Sequence, residues 1–482
     1  MKFETIRSKK KILLIGIILF CVSVTLILAT SLAAYKKTTT IKIAEGTVNY
    51  IIPDMKLFAI YQENDNGEYD VISNIPISGY ILNENISFCE KYDENTEQFE
   101  KIQVEINFDA EVNGITISPS TSLDKGTRCY FYYDKYNIVK YILTNTTLKF
   151  DSIDFSKTSC TNGSYEGGNC GENTVGLYCW DTDTNESCIS SSENKTYFYR
   201  GNVKNNYVKF AGFYWRIIRI NENGSIRMIY AGDVNIIDNL NNRDEVLANG
   251  YDDEAQYSIL NTRITFNYAY NDNRYVGFMY DENGILRKSA ILNDVLEPWY
   301  QTNILDKKLE GYIDKEMGFC GDRTVYTDER GITQGTGVIS TYFGSYIRVK
   351  TNNKPIFNCP NVEDLYTTSE SSIGNKSLEY PIGLITADEV VFAGASSSSV
   401  GNKSFYLYNG QDYWTLSPSY RSYRSPECAR VFVVDYDKGC LFSDCVNYPN
   451  GAHNNGVRPV INLSATSILS GLGTIESPYI VS

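Results

Sequence analysis

Tyr207-Val-Lys-Phe-Ala-Gly-Phe-Tyr-Trp-Arg-Ile-Ile-Arg-Ile-Asn-Glu-Asn-Gly-Ser-Ile-Arg-Met-Ile-Tyr230 decides the fold class. The run reads as three strands, Tyr207 to Phe210, Tyr214 to Ile220 and Ile226 to Tyr230, each rich in aromatic and β-branched residues. Asn221-Glu222-Asn223-Gly224 forms the hairpin between the last two, with Asn-Gly supplying the φ > 0 that a tight turn needs. Downstream the texture alternates between strand and helix. Ser289 is a plausible N-cap for a segment with apolar residues at 291, 292, 295, 296, 299 and 300, and Pro298 is expected to kink or end that helix. Thr386 and Glu389 have capping-box spacing before Val390, Val391 and Phe392, so a second helix starts there. Arg430 to Asp435 and Leu441 to Asp444 flank a turn at 436 to 439. Val457 to Leu463 is a late apolar strand, placed at an edge or beside a bulge by Pro459. Residues 196–482 thus read as a mixed α+β domain.

Working upstream, residues 149–195 are rich in Ser, Thr, Asn, Gly and Cys with little apolar periodicity, and read as a Cys-rich linker. Residues 46–148 are strand-like: Ile102, Val104, Ile106 and Phe108 alternate with polar residues, as do Ile115 and Ile117. Short strands and turn clusters imply a small β-sandwich-like domain whose plain role is a stalk. Residues 12–34 form an uncharged run of 23 residues. As a helix that is ~34 Å long, enough to cross a ~30 Å hydrocarbon core. Lys2, Arg7, Lys9, Lys10 and Lys11 precede it. The positive-inside rule then leaves residues 1–11 as a cytoplasmic tail, makes 12–35 a transmembrane signal anchor, and puts the rest outside the cell membrane. A cleaved signal peptide is the alternative, although its apolar stretch is usually shorter.

Composition excludes several classes. The 482 residues carry 44 Lys plus Arg against 58 Asp plus Glu, a net charge of −14. The acidic balance argues against a nucleic-acid partner, which needs clustered cations. The single histidine, His453, excludes a multi-His metal centre. Cys21 lies in the anchor; the other eleven cysteines are external, and an oxidising exterior makes disulfides the default. Cys89 and Cys129 lie in strand-like runs of one segment. Cys160, Cys170, Cys179 and Cys188 are expected to pair among themselves. Cys320 and Cys359 bracket one polar insertion. The group 428/440/445 holds the odd cysteine, which leaves a disulfide-linked oligomer open. No CxxC occurs, so structural zinc is disfavoured, and no cofactor is implied.

Several phrases together carry a resemblance: Tyr197 to Gly201, Val208 to Ile220, Phe319-Cys-Gly-Asp-Arg323, Ile382 to Glu389, Tyr413-Trp-Thr-Leu-Ser-Pro418 and Gly456-Val-Arg-Pro-Val-Ile-Asn-Leu463. Over about 196 to 465 they resemble uncharacterised exported proteins of low-GC, mostly gut-dwelling Gram-positive bacteria. The last two phrases are similar to the end of a C-type-lectin-like module of formylglycine-generating-enzyme relatives. The resemblance implies a C-type-lectin-like α+β fold for the C-terminal domain. The Glu-Pro-Asn, Gln-Pro-Asp and Trp-Asn-Asp motifs of calcium-dependent sugar binders are absent. Cys440 and Cys445 do not align with a paired-cysteine metal site, so oxidase activity is not carried over.

No catalytic set converges. Ser417 lacks a Gly-x-Ser-x-Gly elbow. Asp252-Asp253-Glu254 and Asp388-Glu389 read as ordinary acids, and His453 lies in a polar loop. Trp215, Trp299 and Trp414 read as core residues. Arg458, inside an apolar strand, must find a carboxylate or several carbonyls and reads as a structural clamp. Two segments, 419–427 and 446–455, mix Tyr, Arg, Ser and Asn, side chains that give stiff contacts with adaptable hydrogen bonds. The ligand-binding candidates are Tyr420, Arg421, Tyr423, Arg424, Tyr448, Asn450 and His453. The reading is a non-catalytic, membrane-anchored surface protein that binds a carbohydrate or protein. A structural envelope component and a metal-dependent enzyme of the formylglycine-generating type are the alternatives.

Overall fold

The computed structural model describes residues 58–64, 66–75, 80–93, 95–109, 114–118, 126–156, 158–159, 170–171, 175–189, 191–249, 251–252, 255–260, 263–268, 276–282, 285–326, 341–371, 373–395, 401–421, 428–447, 454–467 and 469–481. The segment 12–34, expected to span a membrane, lies outside them. Among the described residues no helix is long and apolar enough to cross a membrane. The chain is α+β with strands predominating, and it divides into two units, Met1–Lys135 and Tyr136–Ser482.

In the first unit, strands β1 (Phe58–Glu63), β2 (Tyr69–Ile72), β3 (Tyr80–Leu82), β4 (Phe88–Asp93), β5 (Gln98–Ile102) and β8 (Thr127–Lys135) form one six-stranded sheet in the order β2-β1-β8-β4-β5, with β3 also on β8. A separate hairpin joins β6 (Glu105–Asp109) and β7 (Gly114–Ser118). Along β8, Thr127, Cys129, Phe131 and Tyr133 are buried while Arg128, Tyr130 and Tyr132 are half-buried. That is the period of two of a strand with unlike faces. The buried face shares a core with Ile106, Ile115 and Ile117 of the hairpin. Cys89 and Cys129 stand directly opposite each other on β4 and β8 and are bonded. The broad sheet and the hairpin thus enclose one core.

The first unit ends at Lys135, short of the expected 148. Tyr136 and the helix α1 (Ile138–Asn145) belong to the second unit, where Ile138 and Ile142 are buried and Tyr141 donates to Gly471 O at 2.9 Å. The stretch read as a linker likewise supplies a strand. Gly176–Asp181 (β9) pairs along its length with Lys195–Arg200 (β10), burying Leu177, Tyr178, Cys179 and Trp180. Cys179 and Cys188 close the adjacent turn. The sequence texture hid this strand because it is buried on both faces and shows no alternation.

Both strands belong to a ten-stranded sheet centred on β12 (Phe213–Ile220), which is buried throughout; β11 (Tyr207–Phe210) and β13 (Ile226–Asp233) flank it. Gly224 takes φ +82° in the β12–β13 turn, as the Asn-Gly pair led us to expect. A six-stranded second sheet is built on β15 (Tyr413–Arg421), β16 (Ala429–Val434) and the edge strand β17 (Leu441–Cys445), with β14 (Thr341–Tyr342) also on β15. Strand β18 (Val460–Leu463) pairs with β13, and Pro459 stands just before it, where its missing N–H removes no ladder bond.

Pro298 does not end its helix. The helical path runs through Leu292–Leu296, Glu297–Tyr300 and Gln301–Leu305, with i→i+5 bonding before and after the proline turn. The wider π turns absorb the proline within the helix. Helix α2 (Ala387–Phe392) carries the expected capping box: Thr386 accepts from Glu389 N, and Glu389 accepts from Thr386 N.

Candidate recognition surface

Strand β15 buries its first seven residues, and Tyr420 is the first half-exposed one. At this end Arg421 pairs with Ala429 on β16 and with Thr341 on β14, while Tyr420 pairs with Tyr342. Ala429 O accepts from Val446 N at 3.0 Å, and Cys428 is bonded to Cys445. Residues 421 and 428 flank 422–427, and residue 447 precedes 448–453. The stems of the two candidate binding segments therefore leave the same end of one sheet and are tied by a disulfide. Cys440 is free and buried, so the odd cysteine does fall in this group.

A ring cluster lies at this end. Tyr342 and Tyr420 stack at 5.8 Å, Tyr346 meets Tyr420 edge-on at 5.5 Å, and Tyr342 and Tyr346 are 4.9 Å apart. Buried Phe432 supports Tyr346 from below at 6.2 Å. The Arg430 guanidinium lies 5.2 Å from the Tyr420 ring centroid and donates to Ser443 O at 3.1 Å. Burial, with Tyr342 and Tyr420 adding to it, pushes the Tyr346 hydroxyl up, so it stays protonated at neutral pH. The cluster brings together stiff rings with polar tips and a cation.

Of the sequence candidates, the structure places Tyr420 at this cluster, while Arg421 is buried beside it. Tyr423, Arg424, Tyr448, Asn450 and His453 lie outside the described residues. Tyr342, Tyr346 and Arg430 escaped sequence reasoning. Nothing in their local spacing singles them out; only the β14–β15 pairing brings Tyr342 to Tyr420.

Of the residues read as structural, Trp215, Trp414 and Arg458 are buried and Trp299 is half-buried. Trp215 Nε1 donates to Phe210 O at 3.0 Å and Trp414 Nε1 to Ile264 O at 2.7 Å. Trp299 packs edge-on against Trp215. Arg458 donates to Tyr230 O and Leu407 O, at 3.0 and 2.9 Å. Its burial pushes its pKa down, and the carbonyls replace the water it loses. Ser417 accepts from Ala387 N at the start of α2, so its oxygen serves the helix. Asp388 is held by Arg348 at 2.9 and 3.0 Å, and Glu389 by Arg219 and Arg227. Arg200 donates to Val391 O and Phe392 O at the other end of α2. The signal for Arg216, Arg219 and Arg227 was the one read at Arg458, an arginine interrupting an apolar strand.

Cys320 and Cys359 are also bonded, while Cys160 and the Cys170 side chain lie outside the described residues. Among the described residues no group of three or more His, Cys, Asp or Glu is placed to hold a metal ion. No protein-family model, curated protein or solved structure matches the chain.

Proposed function

We propose that the chain is a single-pass surface protein that recognises a carbohydrate or protein ligand, without catalysis, through the Tyr420 end of its second sheet. The observation that carries the reading is that the stems of two Tyr/Arg/Asn-rich segments meet at one disulfide-tied sheet end, next to the Tyr342–Tyr346–Tyr420 cluster. The uncharged run at 12–34, with basic residues before it, supports an anchor with the N-terminus in the cytoplasm. Four disulfides among the described residues are consistent with an extracellular setting. The finer assignment of a C-type-lectin-like fold to the second unit draws its support from the phrases at 413–418 and 456–463, and that of a β-sandwich-like stalk to the first unit from its short alternating strands. Immobilised glycan and protein arrays probed with the full chain test the reading. Tyr342→Ala/Tyr420→Ala should lose array binding at least tenfold with an unchanged Tm; retained binding would remove the site from consideration.

A further inference from the structure

The first unit has a second face. Opposite its core, a row of rings crosses four neighbouring strands: Tyr69 on β2, Tyr61 on β1, Tyr132 and Tyr130 on β8, and Phe88 on β4. The Tyr69–Tyr132, Tyr132–Tyr61, Tyr61–Tyr130 and Tyr130–Phe88 centroids are 5.2, 4.6, 6.4 and 4.8 Å apart, and all five rings are half-buried. The Tyr61 and Tyr132 planes differ by only 10°. Side chains stand off a sheet; Tyr61 stacks on Tyr132 and Phe88 on Tyr130, Tyr69 meets Tyr132 edge-on, and the Tyr69 and Tyr130 hydroxyls donate to Asp134 and Glu90. Burial, with Asp134 adding to it, pushes the Tyr69 hydroxyl up to about 12, and burial also raises Tyr130 and Tyr132. Tyr69, Tyr130 and Tyr132 are therefore uncharged.

Charge is sorted to its two ends. At the start of β8, Arg128 lies over the Phe99 ring at 3.5 Å, beside Lys101, with Glu90 held at 2.5 Å from Arg128. At the end of β8, Asp134 accepts from Tyr69 and from Asn83, and Glu63 accepts from Lys135 N. The outward row at one end thus carries two cations and one carboxylate, and the row at the other carries two carboxylates. The rows are six residues apart along β8, about 20 Å at roughly 3.3 Å per residue.

We propose that this face docks a second copy of the chain, face to face, with the two β8 strands antiparallel. A two-fold axis then sets the cationic row of each copy over the acidic row of the other, which makes the face complementary to itself. The rings between them become the inside of a sandwich completed by two chains. Aromatic residues at the centre are the composition of interface cores. With four strand spacings of about 4.8 Å the face is roughly 20 Å wide, which puts the pair among weak, transient complexes.

Sedimentation velocity of the full chain, up to concentrations on the order of 100 µM, tests this without reference to the Tyr420 site. The wild type should show a monomer–dimer equilibrium that salt weakens. Lys101→Glu/Arg128→Glu and Glu63→Lys/Asp134→Asn should each weaken self-association at least tenfold. An equimolar mixture of the two should recover the dimer, which a misfolded variant could not do. A wild type that stays monomeric overturns the proposal. So does a dimer indifferent to both variants, or a mixture that stays monomeric. A dimer dispersed by neutral hexaoses such as cellohexaose or chitohexaose would hand the face to a glycan instead.

Discussion

Arg227 Nε lies 2.7 Å from Glu389 Oε1, with both side chains buried and Arg219 Nε at 3.2 Å from the same oxygen. One carboxylate thus serves two arginines from adjacent strands while its other oxygen closes the capping box of α2. Glu389→Ala should lower unfolding stability of the second unit by about 3–5 kcal/mol, because buried Arg227 loses its counter-charge and Arg219 is left with Glu222 at 3.6 Å. Chemical denaturation reads this directly. Replacing Arg219, Arg227 and Glu389 together by Met should cost less than Glu389→Ala alone; a larger cost would mean that the ion pairs themselves hold the unit.

Arg458 gives a related expectation. Its guanidinium serves Tyr230 O and Leu407 O from different segments. Arg458→Ala takes this donor from both acceptors, of which Leu407 O keeps the Tyr413 hydroxyl at 3.0 Å, and should cost about 1–3 kcal/mol. Arg458→Lys should recover little, since a compact ammonium cannot hold two divergent carbonyls as a planar fork does. Thermal melts of the two variants that differ widely would contradict this.

Asp412 sets a pH dependence. Burial holds its carboxyl above the ordinary range, with nearby Asp435 adding to the effect and the Tyr436 N–H opposing it. In the window from the unfolded value of about 3.9 up to the raised folded value, the native state binds more protons than the unfolded state. Stability from this group therefore falls as pH rises through that window. Asp412→Asn should stabilise the protein at pH 7, and the gain should vanish below about pH 4. A gain that grows on acidification would have the wrong sign.

The cysteines can be read by mass. Cys440 is buried and free, and burial pushes its thiol up. Iodoacetamide should leave it untouched in the native protein and label it after unfolding. Cys428→Ser/Cys445→Ser should cost about 3 kcal/mol for the lost 17-residue closure, and Cys89→Ser/Cys129→Ser about 4 kcal/mol for 40 residues. Peptide maps joining Cys440 to any other cysteine would refute the assignment.

Local chemistry was legible where the structure needed only neighbours. The Asn-Gly turn at 223–224 and the Thr386–Glu389 box depend on residues within one turn, and both stand as read. An arginine in an apolar strand announced that it needs partners, but not which ones. Glu389 was read as a cap, and nothing nearby shows that it also holds Arg219 and Arg227, some 170 residues upstream. Pro298 misled because a helix that widens into π turns can carry a proline. Strand β9 was missed because a strand buried on both faces lacks alternation. The Tyr342–Tyr420 stack depends on pairing between distant segments, which no window of sequence contains.

The outermost strand of the second sheet has a further consequence. The β16–β17 ladder is made by Ala429 with Val446 and by Asp435 with Cys440, so the alternate residues Leu441 and Ser443 turn their backbone outward. Lys350 Nζ donates to Leu441 O at 2.6 Å and Arg430 to Ser443 O at 3.1 Å. An approaching strand finds those acceptors taken and meets fixed positive charge. Occupied acceptors and positive charge along this border work against templated growth of one molecule upon the next when many copies crowd together.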